Sequence, residues 1–152
     1  MTHDQRGVAL LESLVSMVVL AIGLLGMAAL LTYSMKSMGK AQYAAQATYA
    51  AQMITSAIFA QEANNLAGLN ALNGDTTAGN YSGHTAIDQA LTEWSSYTRA
   101  NFPVGATGAL SVTAPGSTGA CAMLPCQVTV TMSWNGADHV PQSYQTSLIM
   151  GY

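Results

Sequence analysis

The sequence predicts an α+β chain: a long N-terminal α-helix, apolar in its first half and amphipathic in its second, packed on a small antiparallel β-sheet, with a second short helix. Three observations carry that expectation. Residues 8–31 are almost wholly apolar, and Glu12 is the one formal charge between Arg6 and Lys36. Residues 32–62 hold no proline and repeat apolar side chains at helical spacing. Beyond residue 110 the period drops to two, the mark of half-buried strands.

As an α-helix, residues 8–31 measure about 36 Å, enough to cross a bilayer with some tilt. The preceding Met1 to Gly7 segment is short and polar, with Asp4 and Arg6. It is unlike a secretory n-region, and the apolar run outlasts a typical h-region without a closing A-x-A site. Gly23 and Gly26 would each cost about 1 kcal/mol against Ala in a soluble helix. In a membrane helix they let a neighbour approach, or mark a place where the helix loosens.

Tyr43, Ala47, Ala50, Ile54 and Ile58 follow at spacings of four, three, four and four, one apolar stripe on a helix. Only Gly39 disfavours helix strongly in this half. One continuous helix from about residue 8 to about residue 61, near 80 Å long, is expected. Its second half should lie against a folded domain rather than lipid. Met35, Met38 and Met53 read as packing residues, not metal ligands.

Residues 64–83 carry Asn64-Asn65, Asn73-Gly74-Asp75, Gly79-Asn80 and Ser82-Gly83, a loop with a short helical turn at 66–72. Residues 85–101 predict the second helix. Thr85 is its expected N-cap, with Asp88 three residues on as a variant capping box. Ile87, Leu91 and Trp94 share a face, and Phe102-Pro103-Val104-Gly105 ends the helix. Residues 110–113 predict a short strand and residues 115–119 a turn. Cys126, Val128, Val130, Met132 and Trp134 alternate along the strongest strand. Asn135-Gly136 turns the chain into a last strand at 144–150. Three strands joined by short turns make an antiparallel meander, and the Tyr43–Ile58 stripe is the cover its apolar face needs.

Composition narrows the function. Charged residues are 7% and the formal net charge is −3, with no basic run. A nucleic-acid surface needs clustered Lys and Arg, so none is expected. No G-x-S-x-G, phosphate loop or H-E-x-x-H is present, and Asp88 and Glu93, five apart, do not share a helix face. No enzyme and no cofactor are expected. Cys121 and Cys126 enclose four residues, where catalytic dithiols usually enclose two. A zinc site lacks ligands, because His3, His84 and His139 are scattered. If the domain lies outside the cytoplasm, a small disulfide at the start of the long strand is expected.

Glu12 needs the most explanation. A carboxylate near the bilayer centre costs roughly 2.5–3.5 kcal/mol or more. Arg6 is the one nearby positive partner. If the chain is cut after Gly7, the new Val8 amine is a better one, and it can pair with Glu12 of another subunit. Pairing between chains would drive assembly in register.

The stretch Gly7-Val8-Ala9-Leu10-Leu11-Glu12-Ser13-Leu14-Val15 resembles the type III signal of type IV prepilins and pseudopilins. The resemblance implies a pilin-like fold, cleavage between Gly7 and Val8 by a prepilin peptidase, N-methylation of Val8, and a Glu12 that engages the neighbouring subunit's amine. Val8 stands where these proteins usually have Phe. Ala29 stands where major pilins usually have a helix-breaking proline, which points to a minor component. Leu14-Val15 through Ala21-Ile22-Gly23-Leu24-Leu25-Gly26-Met27-Ala28 is similar to the PilV family of minor pilins, the type IV pilus modification proteins. So are Trp94 with Phe102-Pro103-Val104-Gly105, and the Val-Thr strand ending in Trp134.

The resemblance implies a leader at residues 1–7, a transmembrane helix half at 8–32, an amphipathic half at 33–62 and a periplasmic α+β part at 63–152. It implies placement in the bacterial inner membrane and then in the pilus fibre. The implied partners are prepilin peptidase, other minor and major pilins, and the inner-membrane pilus assembly machinery. A minor pseudopilin of a type II secretion system fits the same residues. An uncleaved single-pass sensor or binding module, with loops at 64–83 and 138–140, is the reading from another class. Charge does not settle orientation, because Arg6 lies on one side of the span and Lys36 and Lys40 on the other.

Overall fold

The computed structural model describes residues 4–62, 65–78, 87–136 and 138–151, with residues 4–8 described by their backbone alone. Helix α1 runs unbroken over Asp4–Glu62. It starts four residues before the apolar pattern. Nothing between Asp4 and Val8 stops a helix, and Gly7 only lowers propensity by about 1 kcal/mol. The helix also passes through Gly23 and Gly26 without a break, and a Cβ added at either would meet open space.

The chain divides into two compact units, Met1–Gly39 and Lys40–Tyr152. In the first, α1 is apolar and exposed all round. Leu10, Met17, Leu25 and Leu30 are each more than 70% exposed. The helix is long and apolar enough to cross a membrane. Met35 and Met38, expected to pack, are exposed as well, because no second layer covers α1 within this unit.

In the second unit the expected stripe is the core. Ala47, Ala50, Ile54 and Ile58 are fully buried together with Ala51, and Tyr43 and Met53 pack half-buried against them. Full burial of each isoleucine contributes about 1.5–3 kcal/mol. A short helix α2 covers Leu66–Ala71. Asn65 caps it: its Oδ1 accepts from Gly68 N–H at 3.1 Å while its Nδ2 donates to buried Glu62 at 2.7 Å.

Helix α3 covers Asp88–Asn101 and buries Leu91, Trp94, Ser95 and Thr98. The expected Thr85 cap and its capping box lie outside the described residues. Ile87 holds the cap position, fully buried and with no side-chain cap bond. At the other end Phe102 N–H returns to the Thr98 carbonyl, and Pro103 lacks the N–H that a further turn would need.

Strands β1 (Thr107–Thr113), β2 (Cys126–Asn135) and β3 (Pro141–Met150) form an antiparallel meander in that spatial order. Val130 stands opposite Leu110 on one side and Thr146 on the other. Strand β1 begins three residues earlier than its alternation suggests, because Gly108 and Ala109 carry no bulk to mark a strand. Gly108 is small for a reason. A Cβ there would run into the Trp94 indole and lie 2.9 Å from Met132 Sδ. Strand β3 also begins three residues early, at Pro141. Proline is tolerated as the first residue of an edge strand.

Residues 73–77 strap the outer edge of β1. Gly74 N–H donates to the Leu110 carbonyl at 3.0 Å, and Leu110 N–H donates to the Asp75 carbonyl at 2.9 Å. Thr77 N–H donates to the Gly108 carbonyl at 3.0 Å, and Gly108 N–H donates to Thr77 Oγ1 at 2.7 Å. Val112 N–H donates to Asn73 Oδ1 at 3.1 Å. The turn-forming Asn73-Gly74-Asp75 sequence, expected as plain loop, therefore closes a sheet edge.

Candidate functional site

Glu12 lies just over two turns into α1, surrounded in sequence by Leu10, Leu11, Leu14 and Val15, all exposed apolar side chains. Polar neighbours on the same helix return their hydroxyls to its own backbone. Ser13 Oγ donates to the Leu10 carbonyl and Thr32 Oγ1 to the Ala28 carbonyl, both at 2.9 Å. Among the described residues no ion pair reaches Glu12. The Arg6 side chain, its expected in-chain partner, lies outside the described residues. Val8, four residues N-terminal, is one turn of the helix away, about 6 Å along the axis. In the uncut chain its nitrogen is a peptide amide within the helix and carries no charge.

The arrangement is an acid on an apolar helical surface. In a low-dielectric surround it demands a cation, and residue 8 lies one turn away on the same side of the helix. A free amine at residue 8 would supply both a formal charge and the positive end of the helix. The backbone of Gly7 and Val8 is helical here. The residues expected to be cut, methylated and paired thus occupy one short stretch of one helix.

Cys121 and Cys126 are joined in a disulfide, with Cα atoms 5.7 Å apart. Both are buried in the core, so the bond staples the start of β2. Among the described residues no three His, Cys, Asp or Glu side chains gather as metal ligands. His3 and His84 lie outside the described residues, and His139 sits in the β2–β3 turn with a left-handed backbone, φ 58°. Asp88 and Glu93 do not meet as a pair: Glu93 accepts from Gln89 Nε2 at 2.9 Å.

The 138–140 loop, weighed as a ligand loop, is engaged internally. Asp138 pairs with Lys40 at 3.1 Å and accepts from Val140 N–H at 3.3 Å. The Lys40 ammonium bonded to it holds the Asp138 carboxyl below its ordinary range. Sequence reasoning missed this pair, since nothing in either local pattern links residues 40 and 138. Much of the 64–83 loop is likewise committed, as the β1 strap; residues 79–83 lie outside the described residues.

Residues 2–28 match the family model of the prokaryotic N-terminal methylation motif. The match takes in Gly7, Val8, Glu12 and the apolar run as far as Ala28, less than a fifth of the chain. It supports a pilin-type protein, of a type IV pilus or of a pseudopilus, and fits the membrane-length helix. The motif implies processing by a prepilin peptidase and assembly with other pilins. Proteins built on it are typically structural rather than enzymatic. No curated protein and no solved structure matches the chain.

Proposed function

We propose that the chain is a minor pilin of the type IV pilus, a structural subunit that primes or modifies pilus assembly. Prepilin peptidase cuts between Gly7 and Val8, and the exposed Val8 amine is N-methylated. The apolar half of α1 then enters a bundle of like helices. There Glu12 pairs with the Val8 amine of a neighbouring subunit, and that subunit's Glu12 is free to pair onward. The domain formed by residues 40–152 sits on the periplasmic side and later in the fibre, facing other minor and major pilins.

The observation that carries this reading is Glu12 itself: an exposed carboxylate on an otherwise apolar helix, inside a matched methylation motif. In one chain it is a cost. In an assembly it is a register mark, since an unpaired charge in a low-dielectric bundle penalises every other alignment. Ala29 in place of a helix-breaking proline, and the similarity of residues 14–28 to the PilV family, favour a minor pilus subunit.

Removing one member of a buried ion pair costs about 3–5 kcal/mol. Glu12→Ala should therefore leave the chain inserted in the membrane while its content in sheared pili falls at least about tenfold. Unchanged pilus composition would contradict the pairing. Co-purification with type II secretion components instead of pilus components would move the protein to the pseudopilus.

A further inference from the structure

Two loops share one end of the second unit. Residues 103–106 join α3 to β1, and residues 136–140 join β2 to β3. One cavity is lined both by Gly105 of the first loop and by Asn135 and Pro141, which flank the second. The Phe102 ring, just before the first loop, stands 6.1 Å from Tyr43 and 5.6 Å from Trp134. Asp138 of the second loop pairs with Lys40 at 3.1 Å. Lys40 and Tyr43 belong to the first turn of α1 within this unit. Both loops therefore lie at the end where the chain enters it.

Each loop is held by its own bonds and turns a valine outward. Ala106 N–H donates to the Pro103 carbonyl at 3.0 Å, and Gly105 has φ 90°, so Val104 stands at the apex of a closed turn. Its side chain is fully exposed. In the second loop Gly136 N–H donates to the Val140 carbonyl at 3.0 Å, and Val140 N–H donates to Asp138 Oδ1 at 3.3 Å. The polar groups of Val140 are thus used inside the loop, while its side chain is 51% exposed. Asp138 is the one Asp, Glu, Lys or Arg in the two loops, and Lys40 neutralises it. Neither valine belongs to the hydrophobic core.

Lipid lies near this end by chain length alone. The apolar run closes at Leu31, nine residues before Lys40. Nine residues reach at most about 32 Å even when fully extended. The opposite end of the sheet, at Cys126, lies roughly 30 Å along β2 from Asn135. A protein partner fits these tips poorly. A stable protein interface takes about 800 Å² from each side, and two valines on separate turns fall far short of that. Apolar burial is non-directional, so a bilayer interface takes small protruding groups without any matching shape.

We propose that Val104 and Val140 form a second contact with the bilayer. With the apolar half of α1 across the membrane, the two turns rest on the lipid surface and insert these side chains among zwitterionic head groups. The neutral loops require no anionic lipid. This inference rests on α1 crossing a membrane and not on assembly into a pilus.

The test uses the full-length chain in phosphatidylcholine vesicles, dilute enough to hold single copies. A nitroxide spin label is attached at one new cysteine: Val104→Cys, Val140→Cys, Met123→Cys or Leu20→Cys. The native cysteines are joined and buried, so the new thiol alone takes the label. Collision of the label with oxygen, which partitions into lipid, is compared with collision with a water-soluble nickel chelate. Met123, 75% exposed near Cys126 at the far end of the sheet, is the aqueous reference. Leu20, inside the apolar run, is the lipid reference. The oxygen-to-nickel ratio at residues 104 and 140 should exceed that at residue 123 at least threefold. Ratios equal to that at residue 123, with a high ratio at residue 20, overturn the proposal and leave the span intact. A low ratio at residue 20 removes the span and the proposal with it. Protection from nickel that appears only as the protein-to-lipid ratio rises also overturns the proposal, by showing contact between chains.

A charge supplies the second arm. Val104 is fully exposed, so Val104→Asp and Val104→Ile leave the core untouched. In the chain labelled through Val140→Cys, Val104→Asp should lower the ratio at residue 140 at least twofold, and Val104→Ile should not lower it. Equal ratios in the two variants overturn the proposal.

Discussion

One bond of the strap over β1 is made by a single hydroxyl whose removal has a calculable cost. Thr77 is 3% exposed, and its Oγ1 accepts the Gly108 N–H at 2.7 Å. Its backbone is fixed independently: the Thr77 carbonyl accepts from Ser95 Oγ at 2.9 Å and from Arg99 Nη2 at 3.4 Å. Thr77→Val keeps the side-chain shape and deletes the acceptor. A buried N–H left without a partner costs about 1–3 kcal/mol. The new methyl recovers at most about 0.8 kcal/mol through apolar burial. Thr77→Ser does the reverse, keeping the acceptor and losing one methyl for about 0.8 kcal/mol. At the middle of the first range the valine variant loses about 1–2 kcal/mol, more than the serine variant's about 0.8 kcal/mol. Urea unfolding of the full-length chain in detergent, followed by Trp94 and Trp134 fluorescence, measures both. A valine variant as stable as the parent, or more stable than the serine variant, would refute the account of the strap.

Four other sites probe the rest of the fold. Ile54→Ala should cost about 2–5 kcal/mol and Ile54→Val about 0.5–1.5 kcal/mol in the same unfolding assay, as full burial on the covering stripe requires. Gly108→Ala should cost about 1–3 kcal/mol by forcing the Trp94 indole aside, and the Trp fluorescence of the folded state should shift with it. Replacing Cys121 and Cys126 together by Ala should lower stability by about 2 kcal/mol, the loop-closure value for a short ring. Lys40→Met should change the pH dependence. The folded Asp138 carboxyl titrates below its unfolded value, so the pair's contribution is present above about pH 4 and is lost as pH falls through the folded value. The stability difference between parent and Lys40→Met should shrink on acidification from pH 7 to pH 3; a difference constant over that range would contradict the pairing.

Much of this architecture was legible because its signals are periodic. The Tyr43–Ile58 stripe repeats at helical spacing and is the buried face. The Cys126–Trp134 alternation is the central strand, buried on both sides of its length at Val128, Thr129 and Val130. The starts of β1 and β3 were not legible, whereas β2 begins at Cys126 as its alternation does. Gly108 and Ala109 are strand residues because Trp94 needs the space, which is a tertiary cause. Pro141 to Ser143 belong to β3 because β2 pairs with them, not because of their side chains. The strap was hidden for a related reason, since Asn73-Gly74-Asp75 carries turn chemistry whether or not a sheet edge stands beside it. The disulfide was legible from cysteine spacing, whereas the Lys40–Asp138 pair joins two residues whose local sequences say nothing of each other.

For the candidate site the reverse holds. Gly7, Val8 and Glu12 stand out in the sequence through spacing and composition, while the structure of a single chain adds the exposure of Glu12 and the helical backbone around the proposed cleavage site. On the proposed reading, Glu12 acts only through a second chain.

The most direct measurement is therefore of the N-terminus itself: intact mass and N-terminal fragment analysis of the protein from cells with and without prepilin peptidase. The account predicts a chain that begins at a singly methylated Val8 in the first case and retains residues 1–7 in the second. A chain that keeps residues 1–7 in peptidase-bearing cells would contradict it.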